Sequence, residues 1–156
     1  MIIRRADFSP CRTWRYSLSR IWADQFPIAM FLGLNPSTAD EFQDDPTVRR
    51  CMRFAESWGY GGIILGNLFA YQATDPRQLK SAIDPVVPDN ECWLTGLAEK
   101  ATMVIAAWGA SGGLMGRDKV VTSLLEEIHC LGLTTDGRPR HPLYLRSDTK
   151  PVKLQV

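Results

Sequence analysis

A chain of 156 residues, 45% hydrophobic and 22% charged, is long enough for one folded domain spanning 1–156 and too short for two independent cores. Its formal net charge of +1 excludes strong whole-molecule attraction to nucleic acid or an anionic membrane, so any polyanion site has to be local. Cys11, Cys51, Cys92 and Cys130 stand about forty residues apart rather than in the Cys-x-x-Cys spacing that puts two thiolates on one metal; free core thiols, no metal and no cofactor are expected.

In chain order, the first element is "CRTWRYSLSRIW" (11–22), where Trp14, Tyr16, Leu18, Ile21 and Trp22 mix with Arg12, Arg15 and Arg20. It reads as a helix or strand packed on a sheet edge, with an aromatic platform for stacking bases as the alternative. Next comes "IAMFLGLNP" from Ile28, an apolar run without polar alternation, as expected of a strand buried on both faces. A helix is predicted from near Pro46 through "DPTVRRCMRFAESWG", with Val48, Cys51, Met52 and Ala55 on one stripe and the acids Asp40, Glu41, Asp44 and Asp45 before it as candidate caps.

"GGIILGNLFA" from Gly61 and "ATMVIAAWGASGG" from Ala101 read as two further buried strands. "PDNECWLTGLAEK" and "GRDKVVTSLLEEIHC" read as helices, "IHCLGL" as a fourth strand, and "SDTKPVKLQV" as an extended tail. Strands alternating with helices predict a three-layer α/β/α sandwich built on a four-stranded parallel sheet. With neither a secretory leader nor a long apolar segment, the expected location is the cytoplasm, without a membrane partner. No motif specifies an oligomeric state.

In such a sheet, ligands bind beyond the carboxyl ends of the strands. The first strand exits into Asn35, Pro36 and Ser37, the second into Asn67, Phe69 and Tyr71, and the third into Trp108, Gly109 and Ser111. After the fourth comes "TDGRPRHPLYL", which holds His141 fixed before Pro142 and flanked by Arg138 and Arg140. The other histidine, His129, sits in an apolar stretch and reads as structural. "GASGGLMGRDK" lacks the Gly-Lys-Ser/Thr ending of a phosphate loop and is not read as one.

The string "GLNPSTAD…DDPTVRRC…FA…WGYGG…NLFAY…ATDP…AAWG…GRPRHPLYL" resembles the domain-of-unknown-function family 1643 over nearly the whole chain. Gly33-Leu34-Asn35-Pro36 is similar to the first motif of the uracil-DNA glycosylase superfamily, mismatch-specific branch. His141-Pro142-Leu143-Tyr144-Leu145 is similar to the companion motif of that superfamily, and Ile105-Ala106-Ala107-Trp108-Gly109 to the strand end between them.

The resemblance implies a uracil-DNA-glycosylase-like sheet and a pocket for a base extruded from DNA. It implies that Asn35 positions the attacking water and that His141 donates to the base carbonyl as charge develops. Gly33, Leu34, Pro36, Ser37, Asn67, Phe69, Tyr71, Trp108 and Gly109 are then expected around the base, and Ser111, Arg138, Arg140, Leu143 and Tyr144 against the DNA. The superfamily does not explain the acids Asp40 and Asp45. Each reads either as a local cap or as a general base replacing the carboxylate that position 35 lacks.

Two other classes remain open: a non-catalytic nucleic-acid or nucleotide binding module, favoured by an amide at position 35, and an enzyme acting on free nucleosides or nucleotides, favoured by the weak charge.

Overall fold

The computed structural model describes residues 1–155. Seven strands, β1 (Ile3–Phe8), β2 (Arg15–Ile21), β3 (Ile28–Gly33), β4 (Gly62–Asn67), β5 (Met103–Ala106), β6 (His129–Cys130) and β7 (Val152–Lys153), form one sheet in the order β1-β2-β4-β3-β5-β6-β7. The three apolar runs are its centre. β3 pairs in parallel with both β4 and β5, and β5 with β6. Because both faces of these strands are covered, their residues need not alternate. Ala29, Phe31, Ile63 and Leu65 face one core, while Met30, Leu32 and Ile64 face another.

Helices cover both faces. α1 (Pro46–Ser57) packs Val48, Cys51, Phe54 and Ala55 into the first core. It starts where the sequence predicts, since Asp45 accepts Val48 N–H at 2.8 Å and Pro46 begins the helix. Phe54 takes the buried place expected for Met52, which is only half-buried. α3 (Asp89–Lys100) and α4 (Arg117–Leu124) cover the second core with Leu94, Leu97 and Val121. A short α2 (Gln78–Ser81) and a 3-10 turn, Ala110–Gly116, complete the helical elements among the described residues.

The expected four-stranded parallel sheet is corrected to a seven-stranded mixed one. The segment at 11–22 forms β2, a strand that pairs antiparallel with β1 and with β4. It is not a base-stacking platform: Tyr16 stacks on Trp93 of α3 at 5.4 Å, and Trp14 donates its indole N–H to Asp84 O at 2.7 Å. The tail also joins the sheet, as β7 pairs antiparallel with the two-residue β6. So short a parallel strand leaves an open edge, and the tail supplies its missing partners.

The connection leaving β3 runs to β4 on one side, whereas the one leaving β4 crosses to β5 on the other. The carboxyl ends of β3 and β5 therefore flank the point where the winding reverses, where an α/β sheet opens a crevice. No described helix is long and apolar enough to cross a membrane.

Candidate functional site

A cleft of about 400 Å³ opens at that crevice. Its floor is Phe31, Gly33, Leu65, Asn67 and Ala107, and the start of α1 walls it with Asp45, Thr47 and Cys51. The loops after β3 and β5 and the loop carrying His141 complete it.

The turn after β3 is tied down by backbone bonds from Leu68 N to Gly33 O, Phe69 N to Leu34 O and Ala73 N to Pro36 O, each at 2.9 Å. Asn35 is pinned within it: its Nδ2 donates to Ala73 O at 2.8 Å and Pro36 O at 3.0 Å. With the amide hydrogens so engaged, the Asn35 oxygen is the group left to accept a bond from water or ligand.

Asn67 ends β4. Its residue is 4% exposed, and its Nδ2 is buried without a hydrogen-bond partner in the protein. Such an amide gains by meeting a ligand acceptor. Gly33 makes room for it, since a Cβ at position 33 would stand 2.6 Å from Asn67 Oδ1. The β4 exit is held from behind, where Asn90 donates to Asn67 O at 2.9 Å and Arg117 Nε donates to Leu68 O at 3.0 Å.

His141 arrives on a loop anchored to the β5 exit through Gly109 N to Pro139 O at 3.0 Å. Gly109 has φ of +76°, a conformation that favours glycine. The Leu143 N–H donates to His141 Nδ1 at 3.2 Å, so the neutral ring carries its proton on Nε2. Burial lowers its pKa below the ordinary 6.5, against a smaller upward pull from Asp45. The flanking arginines are not among the causes: Arg138 is paired with Asp118, and Arg140 Nε donates to Leu133 O at 3.1 Å.

The cleft thus gathers Gly33, Leu34, Asn35, Ser37, Asp45, Asn67, Trp108, Gly109, Ser111, His141 and Leu143. It does not gather the others. Asp40 lies outside, its Oδ1 accepting Phe42 N–H and Gln43 N–H at 2.8 Å each; those bonds hold its pKa low. Pro36 is buried behind the turn. Phe69 is buried in the second core, and Tyr71 packs at its margin in a bridge to Trp14. Tyr144 is fully exposed with φ of +70°. Arg138 lines a neighbouring groove over Gly113, and Arg140 is exposed.

The sequence reading missed Arg15, Thr47, Cys51, Thr74 and Pro76 as cleft residues. For Thr47 and Cys51 the helical period was a usable signal, because both sit on the first turns of α1 beside the cap. Burial pushes the Cys51 thiol up, so it is inert packing. Among the described residues, no three His, Cys, Asp or Glu side chains gather as metal ligands.

No curated protein and no solved structure matches the chain. The family model described as "Protein of unknown function (DUF1643)" matches residues 15–143, a span from β2 to the loop that carries His141. A match over that much of its length places the chain in the DUF1643 family.

Proposed function

We propose that this chain is a metal-independent cytoplasmic DNA glycosylase of uracil-DNA-glycosylase-like fold, hydrolysing the N-glycosidic bond of a modified or mismatched pyrimidine in DNA. The observation that carries the reading is that Asn35 and His141, from opposite ends of the sequence, line one cleft at the winding reversal.

In this reading the extruded base enters the cleft, and its polar edge meets the unpartnered amide of Asn67. The bond between the sugar carbon and the base nitrogen breaks with its electron pair moving onto the base. His141 Nε2–H donates to the base oxygen where that charge develops, and its neutral form suits the task. The Asn35 oxygen holds the water that attacks the sugar carbon, and Asp45 accepts the proton released. Leu143 and the exposed Tyr144 stand next to the cleft, where one of them fills the gap left in the base stack.

One observation favours a second reading, a nucleic-acid or nucleotide binding module. The Asn35 amide is engaged by backbone carbonyls, as a structural latch would be, and an amide cannot take a proton.

Single-turnover base release from duplex and single-stranded oligonucleotides decides between them. Each oligonucleotide carries one uracil, 5-hydroxymethyluracil, mismatched thymine, hypoxanthine or ethenocytosine. The glycosylase reading expects an abasic site from at least one substrate, lost in Asn35→Ala and His141→Ala. Binding without release gives the lead to the binding module.

A further inference from the structure

Among the described residues, one cleft residue has an electrostatic situation that base recognition leaves unexplained. Arg15 begins β2, is 3% exposed, and lines the cleft beside Asp45 and Ser37. Its guanidinium donates from Nη1 to Ala39 O at 3.0 Å, and its buried Nε–H has no acceptor. No described carboxylate forms an ion pair with it, although Arg20, farther along β2, is paired with Asp44 at 2.7 Å. A buried guanidinium without a counter-ion is costly, and its fork of N–H donors matches the two oxygens of a carboxylate or phosphate.

We propose that Arg15 is an oxyanion subsite within the cleft, so that the ligand carries a carboxylate or phosphate group besides the edge met by Asn67. The proposal deepens the substrate class of the reading above. It rests on the cleft being the ligand site and not on cleavage of a glycosidic bond. Two sources supply this chemistry: an acidic substituent on the base itself, or the phosphate of a nucleotide.

Several features agree. Burial lowers the Arg15 pKa to about 10, a sign that the attraction of Asp45 and Asp40 across space does not offset its desolvation. Asp45, whose Oδ1 caps Val48 N–H, forms no ion pair with Arg15 and keeps its second oxygen free for other partners. Ser37 and Thr47, two hydroxyl residues, also line the cleft. The cleft volume belongs to the class that encloses ligands larger than a bare pyrimidine ring.

The test is a calorimetric comparison of matched probes: uracil against uracil-5-carboxylate, deoxyuridine against deoxyuridine 5′-monophosphate, and acetate and inorganic phosphate alone. At least one anionic probe should bind tenfold or more tighter than its neutral match. The preference should fall to within twofold in Arg15→Gln and be kept only in part in Arg15→Lys, which retains the charge but not the fork. A carboxylate preference assigns the substituent, and a phosphate preference assigns the nucleotide.

A second readout needs no folded variant. In wild-type protein with 15N-labelled arginine, the Arg15 Nε–H resonance should shift with the anionic probes and stay in place with the neutral ones. Absence of any anion preference, or an unmoved Arg15 resonance, overturns the proposal. The outcome is separable from the glycosylase reading, because acetate and phosphate test the subsite with no base present, and base release from oligonucleotides can fail while anion binding succeeds.

Discussion

His141 is held by one backbone bond in the tautomer that donates through Nε2, and burial keeps it neutral. Protonation would cost the ring that bond, so the proposed activity should fall on the acid side. The acid limb of kcat/KM should have an apparent pKa below 6.5. Stability follows with the same sign. Between the ordinary value of 6.5 and the lower folded one, the unfolded chain binds more proton. The His141 share of stability is therefore complete above that window and lost as pH falls through it. A pH series of urea unfolding should show the loss shrink in His141→Asn. Gly33→Ala tests the other wall: its methyl must displace Asn67, with an overpacking cost of about 1–3 kcal/mol. Thermal unfolding should report that cost, and ligand binding should weaken further than stability alone explains. These residues were legible because each carries its chemistry in a local string, Asn before Pro, His before Pro, Gly ending a strand. Arg15 was not, because what makes it a cleft residue is a pairing of β2 with β4 nearly fifty residues away, which no local pattern encodes.

Asp45 is both the cap of α1 and a carboxylate in the cleft. Two substitutions separate the roles. Asp45→Ala should lower the unfolding free energy by about 1 kcal/mol, read by urea denaturation, while Asp45→Asn preserves the cap. If the carboxylate takes the proton from water, Asp45→Asn loses base release with stability nearly unchanged; equal activity in the two proteins would confine Asp45 to capping. The loop before α1 depends on Arg20, fully buried, which donates to Asp44 Oδ1 at 2.7 Å and to Gln43 O at 3.2 Å. Arg20→Ala leaves Asp44 to Arg4 alone, at 3.0 Å, and takes the side-chain donor from the Asp40 and Gln43 carbonyls; it should cost about 1–3 kcal/mol for each carbonyl left unpaired, read by the same denaturation. At this scale the elements were readable where an unbroken apolar run ends at a turn residue, as in β3 and β4, or where apolar period and cap agree, as in α1. The edges were not. β1 reads "IRRADF", largely exposed, and β7 is two residues long, so neither carries a buried pattern; each exists because a neighbouring strand needs hydrogen-bond partners.

For the whole molecule, a net charge of +1 means that the proposed DNA contact has to be local. Near the cleft, Arg77 is paired with Asp75 and Arg138 with Asp118, while Arg49, Arg50 and Arg53 line a groove with Leu143 and Tyr144 and are the cations there outside any ion pair among the described residues. The logarithm of the DNA association constant should therefore fall against that of salt with a slope of about −3 or shallower. A slope near −6 would require a broad basic face and would refute the local contact. The fold class was readable because alternating strands and helices have few packed solutions. The full sheet was not, since β2, from the N-terminal part of the chain, enters it antiparallel, beside a strand that follows β3.

The strand order also bears on synthesis. β3 lies between β4 and β5, and the loop with His141 comes after all three. At ordinary translation speeds, roughly 5–20 s separate the emergence of Asn35 from that of His141. Until α3 emerges within that interval, the nascent chain displays Met30, Leu32 and Ile64 without the helix that covers them. Slower ribosomes lengthen this exposure, so the yield of folded protein in cells should depend on chaperones that hold half-built sheets.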